Sequence, residues 1–207
     1  MNNWQEKARK MVKTQLMARD IDDTDVINAF LKTPRHKFVP DYLEDKAYTD
    51  QALPIGDSVT ISQPYTVAKI VQLAYTSSPD HQSILDVGSG SGYQSAILSH
   101  LYDSVTGIEI IDPLVEDSRQ TLSSLDIDSI KIKKGNAREK IFPDNHFSAI
   151  VAAAASTKLP PAWAQELKLQ GVIVCPIKNQ LKRFTKTQKG LTQESFGAFS
   201  FVPLKNA

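Results

Sequence analysis

The stretch Asp86-Val87-Gly88-Ser89-Gly90-Ser91-Gly92 constrains this chain more than any other. It closes a short apolar run, Ser83-Ile84-Leu85-Asp86-Val87, and opens a helical pattern from Ser91 to Leu101. Strand, glycine turn and helix in that order form the first half of a βαβ unit. Glycine has no Cβ and takes positive φ, so such a turn lets a ligand approach the backbone closely. The helix then offers free amides and a partial positive charge. Dinucleotides and S-adenosylmethionine are the two ligand classes that suit this geometry.

The spacing separates them. The dinucleotide fingerprint Gly-x-Gly-x-x-Gly/Ala, counted from Gly88, needs a small residue where Tyr93 stands. The glycines fall instead at 88, 90 and 92, a spacing that resembles the first motif of class I methyltransferases. Glu109, at the end of the next apolar run, can accept both hydroxyls of a ribose. Asp86 reads equally as a fold-supporting or ligand-orienting acid, or as a cap that bonds nearby amides of the turn.

The rest of the chain supports an α/β fold. Residues 1–45 read as helical, with Ala8, Met11, Val12, Gln15 and Leu16 near one period. A second helix follows Asp22-Asp23 and stops at Pro34. Residues 52–57 read as loop or short strand. Ser62 reads as the N-cap of a helix with Pro64 in its first turn. Further strands are expected over 104–110, 130–132, 147–152 and 171–175. Helices are expected from the Asp112-Pro113 cap to Leu125 and from Pro160-Pro161 to about Leu167. Strands alternating with helices imply a doubly wound, mainly parallel sheet. The tail, over 181–185 and 195–202, alternates as antiparallel strands about a turn at Lys189-Gly190. We expect one domain over 1–207: a helical and loop extension over 1–60 and a Rossmann-like cofactor-binding core over 61–207.

Bulk properties exclude several classes. A net charge of +1 gives no nucleic-acid footprint. No run of eighteen apolar residues is present, and Met1 to Lys7 contain no apolar signal core. A cytoplasmic protein without membrane or nucleic-acid partners is expected. The single cysteine, Cys175, sits in an apolar run and reads as a buried, inert thiol. His36, His81, His100 and His146 lack metal-ligand spacing, so no metal is expected.

Four further stretches resemble the protein-L-isoaspartate O-methyltransferase family. They are Pro34-Arg35-His36-Lys37-Phe38-Val39-Pro40, Ala47-Tyr48-Thr49-Asp50 with Leu53-Pro54-Ile55-Gly56, Thr60-Ile61-Ser62-Gln63-Pro64, and Phe201-Val202-Pro203-Leu204. The resemblance runs along nearly the whole chain. It implies the class I S-adenosylmethionine-dependent methyltransferase fold, S-adenosyl-L-methionine as cofactor and S-adenosyl-L-homocysteine as co-product. It implies methylation of the free carboxylate of isoaspartyl residues in damaged proteins and peptides, whose ester then closes to a succinimide. A monomer is expected.

By motif position, Ser62 is the active-site residue, its hydroxyl holding the substrate carboxylate. Ile61, Gln63, Thr66, Asp86, Gly88, Ser89, Gly90, Gly92, Glu109, Asn136 and Ala137 are the implied cofactor contacts. Arg35 and His36 are expected to position the Phe38-Val39-Pro40 segment. Ala152 to Ala155 resembles the family's small-residue stretch beside the substrate channel.

The sequence departs from the family at Gly135-Asn136-Ala137, where Gly-Asp-Gly is usual, and in the following Arg138-Glu139-Lys140-Ile141. The Asn136 carbonyl oxygen can replace the acid as acceptor for an adenine amino group. Ala137 gives up the backbone freedom of glycine. These departures motivate an alternative: a relative that binds the cofactor but acts on another acceptor or serves as a binding module. A nicotinamide-dependent oxidoreductase is the third reading, and Tyr93 argues against it.

Overall fold

A seven-stranded sheet organises the computed structural model, which describes residues 3–56 and 58–205. Its strands are β3 (Ser83–Val87), β4 (Ser104–Glu109), β5 (Ile130–Lys134), β6 (Phe147–Ala152), β7 (Leu167–Ile177), β8 (Gln180–Thr187) and β9 (Gly190–Ala198). They lie in the order β5-β4-β3-β6-β7-β8-β9. The first five are mutually parallel, and β8 and β9 add on as antiparallel strands. Central β6 is buried at every position, as a strand covered on both faces must be.

The chain reverses its winding direction at β3. The strands that follow it lie on one side (β4, β5) and then on the other (β6, β7), which opens a crevice at the carboxyl ends of β3 and β6. Helices α3 (Pro64–Tyr75), α4 (Tyr93–Leu98), α5 (Asp112–Ser124) and α6 (Pro161–Glu166) connect these strands or precede them. Helix α4 is shorter than the expected 91–101. Gly92 caps it in a left-handed conformation, with φ of 84°.

Two N-terminal helices, α1 (Trp4–Met11) and α2 (Thr24–Lys32), share one core with α3 and α4 through Met11, Leu16, Phe30 and Ile70. Helix α1 continues into a π-helical turn over Val12–Leu16. Two 3-10 turns follow, Arg35–Phe38 and Asp41–Lys46, so the helical reading of residues 1–45 resolves into short pieces. A two-stranded ribbon, β1 (Leu53–Gly56) and β2 (Val59–Ile61), then crosses in front of the crevice. Asp57 lies outside the described residues.

Three sequence expectations shift. Gln63, not Ser62, is the N-cap of α3; Pro64 occupies the first helical position and pushes Ser62 one residue outside. Ile111, not Asp112, caps α5, and the Asp112 carboxylate pairs with Lys134 instead. The last strand begins at Gly190 and ends at Ala198, so residues 199–202 are free to run elsewhere. Its hairpin turn is Gln188-Lys189, because Thr187 pairs with Gly190.

Candidate active site

The glycine turn sits at the crevice between β3 and β6. Gly88 and Gly90 take φ of 71° and 53°, and a side chain at Gly90 would meet Ile55 of the ribbon at 3.4 Å. The bare backbone therefore faces a cavity of about 270 Å³. That is room for a small molecule rather than an ion or a single water. The ribbon forms one wall, with Ile55, Val59 and Ile61. Ala153 and Ala154 lie on it too, as the small-residue stretch implied.

Glu109 is 6% exposed and lines this cavity. One carboxylate oxygen accepts from Gly90 N at 3.0 Å. The other accepts from Ile110 N at 2.7 Å and Ile111 N at 3.0 Å. Three backbone amides thus fix its orientation and brace the glycine turn. Ser89 lines the same cavity, but its hydroxyl is buried over Gly107 of β4, and that oxygen has no hydrogen-bond partner among the described residues. Bare glycine backbone and a braced carboxylate fit a nucleoside-bearing ligand.

Ser62, directly after β2, also lines this cavity. Its hydroxyl is not used in capping α3. Its carbonyl oxygen accepts from the Arg35 guanidinium at 2.7 Å, and the Arg35 Nε donates to Ala47 O at 2.7 Å. Arg35 therefore reaches past the Phe38-Val39-Pro40 segment to the site itself. His36 stays local, with Nδ1 2.9 Å from the Tyr48 hydroxyl.

Of the sequence candidates, Ser62, Ile61, Gly88, Ser89, Gly90, Glu109 and Ala137 converge on the cavity. Gln63, Thr66, Asp86, Gly92 and Asn136 do not line it. Gln63 turns to Asp50, and the Thr66 hydroxyl donates to Gln63 at 3.3 Å. Gly92 packs against Ser118 and Leu122.

Asp86 is fully buried and accepts from Gln94 at 2.7 Å and from Ser95 at 2.6 Å. It ties β3 to α4 through side chains, which is the fold-supporting reading rather than a cap to the turn's amides. Burial pushes its pKa up to about 6, against the hydrogen bonds from Ser95 and Gln94.

Asn136 is also spoken for: its amide donates to Glu139 at 3.1 Å and its oxygen accepts from Arg138 N at 3.1 Å. Ala137 needs no glycine freedom, because its φ is not positive. It is buried in the lower core, and its carbonyl accepts from the Trp163 indole at 2.6 Å.

The candidate site residues left out most of the ribbon wall and the C-terminal strap, residues 202–205, although the family resemblance pointed to Phe201-Val202-Pro203-Leu204 and to Lys205 as a cofactor-side position. The strap lines the cavity and is held by Ala155 N to Val202 O at 2.8 Å and Leu204 N to Ala155 O at 2.7 Å. Arg138 latches it, donating to Leu204 O at 3.0 Å. Cys175 is buried in β7, where burial pushes its thiol up to about 12.

Comparisons with known proteins agree with this geometry. Residues 6–207 match the family model for protein-L-isoaspartate (D-aspartate) O-methyltransferase. A Geobacter metallireducens protein-L-isoaspartate O-methyltransferase is 38% identical over 95% of this chain and 92% of the relative. Its Pseudoalteromonas atlantica counterpart is 36% identical over 91% of each. Among solved structures, a Plasmodium falciparum protein assigned to the same activity, in complex with S-adenosyl-L-homocysteine, superposes with a TM-score of 0.84. It is 26% identical and covers 99% of both chains. The fold is that of the class I methyltransferases, and this chain belongs to the protein-L-isoaspartate (D-aspartate) O-methyltransferase family.

Proposed function

We propose that this enzyme binds S-adenosyl-L-methionine between the glycine turn and Glu109 and methylates the free carboxylate of isoaspartyl residues in damaged proteins and peptides. The observation that carries this reading is the convergence of Glu109, the bare backbone of Gly88 and Gly90, and Ser62 on one cavity.

When bound, the cofactor supplies a methyl group on a positively charged sulfur, open to in-line displacement. A carboxylate acceptor is already ionised at neutral pH, so the protein needs no general base. What remains for the protein is alignment and exclusion of water. Glu109 would hold the ribose hydroxyls. The Ser62 hydroxyl would donate to the acceptor carboxylate and hold it in line. The ribbon on one side and the strap on the other keep water from the reacting atoms. No helix of the described residues is long and apolar enough to cross a membrane. We take the working unit to be a monomer.

The test is a pair of peptides that differ only in an isoaspartyl or a normal aspartyl linkage, incubated with methyl-labelled cofactor. Label on the isoaspartyl peptide alone is expected. Tight S-adenosylhomocysteine binding without any transfer would favour the alternative, a binding module or an enzyme for another acceptor.

A further inference from the structure

Arg35 is completely buried, and among the described residues no carboxylate pairs with it. It donates to two backbone carbonyls, Ala47 O and Ser62 O, each at 2.7 Å. Its guanidinium also lies over the Tyr93 ring, 4.6 Å from the centroid. Desolvation lowers its pKa, yet a guanidinium stays protonated at neutral pH. Holding two carbonyls requires donors, not a full charge, and a buried charge without a counter-ion is costly. Two neighbouring features also favour an anion at Ser62. Helix α3 starts just beyond it with no side chain capping its first amides. The Ser62 hydroxyl, on the cavity wall, makes no hydrogen bond to a described residue.

We infer that Arg35 is a positioning residue with an electrostatic role. It fixes the Ser62 main chain and sets an uncompensated positive charge behind it, whose counter-ion is the substrate carboxylate. The Ser62 hydroxyl, with this charge and the positive end of α3 behind it, then selects an anionic acceptor over a neutral one of the same shape. This rests on the methyl-transfer reading above.

The experiment compares two ligands in the cofactor-saturated enzyme. One is the isoaspartyl peptide, read by its KM. The other is the same peptide with that carboxylate converted to a carboxamide, read as a competitive inhibitor by its Ki. Wild type should prefer the carboxylate by at least tenfold. R35M should raise the KM about tenfold, the effect of one charge at roughly 10 Å in a medium of intermediate dielectric. The carboxamide Ki should move by less than about threefold, because a neutral ligand does not feel the lost charge. R35K keeps the charge with fewer donors and should restore most of the preference.

Parallel changes in KM and Ki, or an R35K no better than R35M, would overturn the inference and leave a merely structural arginine. If neither variant binds S-adenosylhomocysteine, the wild-type ratio decides alone, and parity between the two ligands overturns it. Methyl transfer with parity sinks only this inference. No methyl transfer by wild type sinks the underlying reading and this inference with it.

Discussion

Glu109→Gln probes the centre of the cofactor site. The glutamate accepts three amides, two on one oxygen and one on the other. Glutamine has one carbonyl oxygen, and its best orientation keeps the pair from Ile110 and Ile111. Its amide nitrogen then faces the Gly90 N–H, donor against donor. The turn loses its brace at the glycine that must stay bare. The ribose loses one acceptor outright, and the surviving acceptor is no longer charged. Hydrogen bonds to charged groups contribute about 1.5–3 kcal/mol each, so the loss on binding should be about 2–3 kcal/mol. That corresponds to S-adenosylhomocysteine binding weakened roughly 30- to 150-fold. Calorimetry measures the affinity, and a melt without ligand checks that the fold survives. Binding within about threefold of wild type, in a folded variant, would refute the reasoning and reduce Glu109 to a loop brace.

Ser62→Ala should lower kcat by tenfold or more, about the value of one hydrogen bond to an ion. Cofactor affinity and melting temperature should hold, since the hydroxyl caps nothing; equal losses of activity and stability would contradict this. Arg138→Ala removes the latch on Leu204 O and a 3.3 Å bond to the Ser156 hydroxyl. Stopped-flow release of S-adenosylhomocysteine should accelerate by about 3- to 30-fold, and an unchanged rate would show that the strap does not gate the cavity. Asn136→Asp should not tighten cofactor binding, because the new carboxylate would face Glu139 in place of a donor. Tighter binding by calorimetry would mean that the side chain turns toward the ligand.

Asp86→Asn tests a pH effect. The folded pKa of Asp86, about 6, lies above the ordinary 3.8, so its contribution to stability is complete below that ordinary value and is lost as pH rises through 6. Through this group wild type should lose about 2 kcal/mol between pH 4 and 7, and the variant should not. Urea titrations at both pH values would show parallel behaviour if the assignment is wrong.

The parts of the fold legible in the sequence were those written in local pattern. Buried parallel strands such as β3 and β6 read as apolar runs, and the glycine spacing announced a ligand-facing turn. What escaped was decided by distant contacts. The ribbon earns its place only by crossing in front of the crevice, and the strap only by pairing with Ala155. β9 has no buried side chain, so its apolar pattern is faint and its bounds were misjudged. At Ser62 the local signal misled: a serine two residues before a proline looks like a cap, yet Pro64 at the first helical position moved the cap to Gln63. At Asn136 the family position suggested a ligand contact, while a loop partner three residues away, Glu139, took the side chain.

The margins of the sheet carry a last consequence. On one side β5 exposes Lys131, Lys133 and Lys134. On the other, β9 ends near a register shift and a Gly197 at φ of 95°. Charges and irregular backbone are the devices that keep sheet edges from recruiting foreign strands. Ageing proteins, the proposed clients, are those most apt to offer loose strands. A repair enzyme with adhesive edges would gather such clients into aggregates, and the lysines of β5 and the irregular end of β9 guard against that.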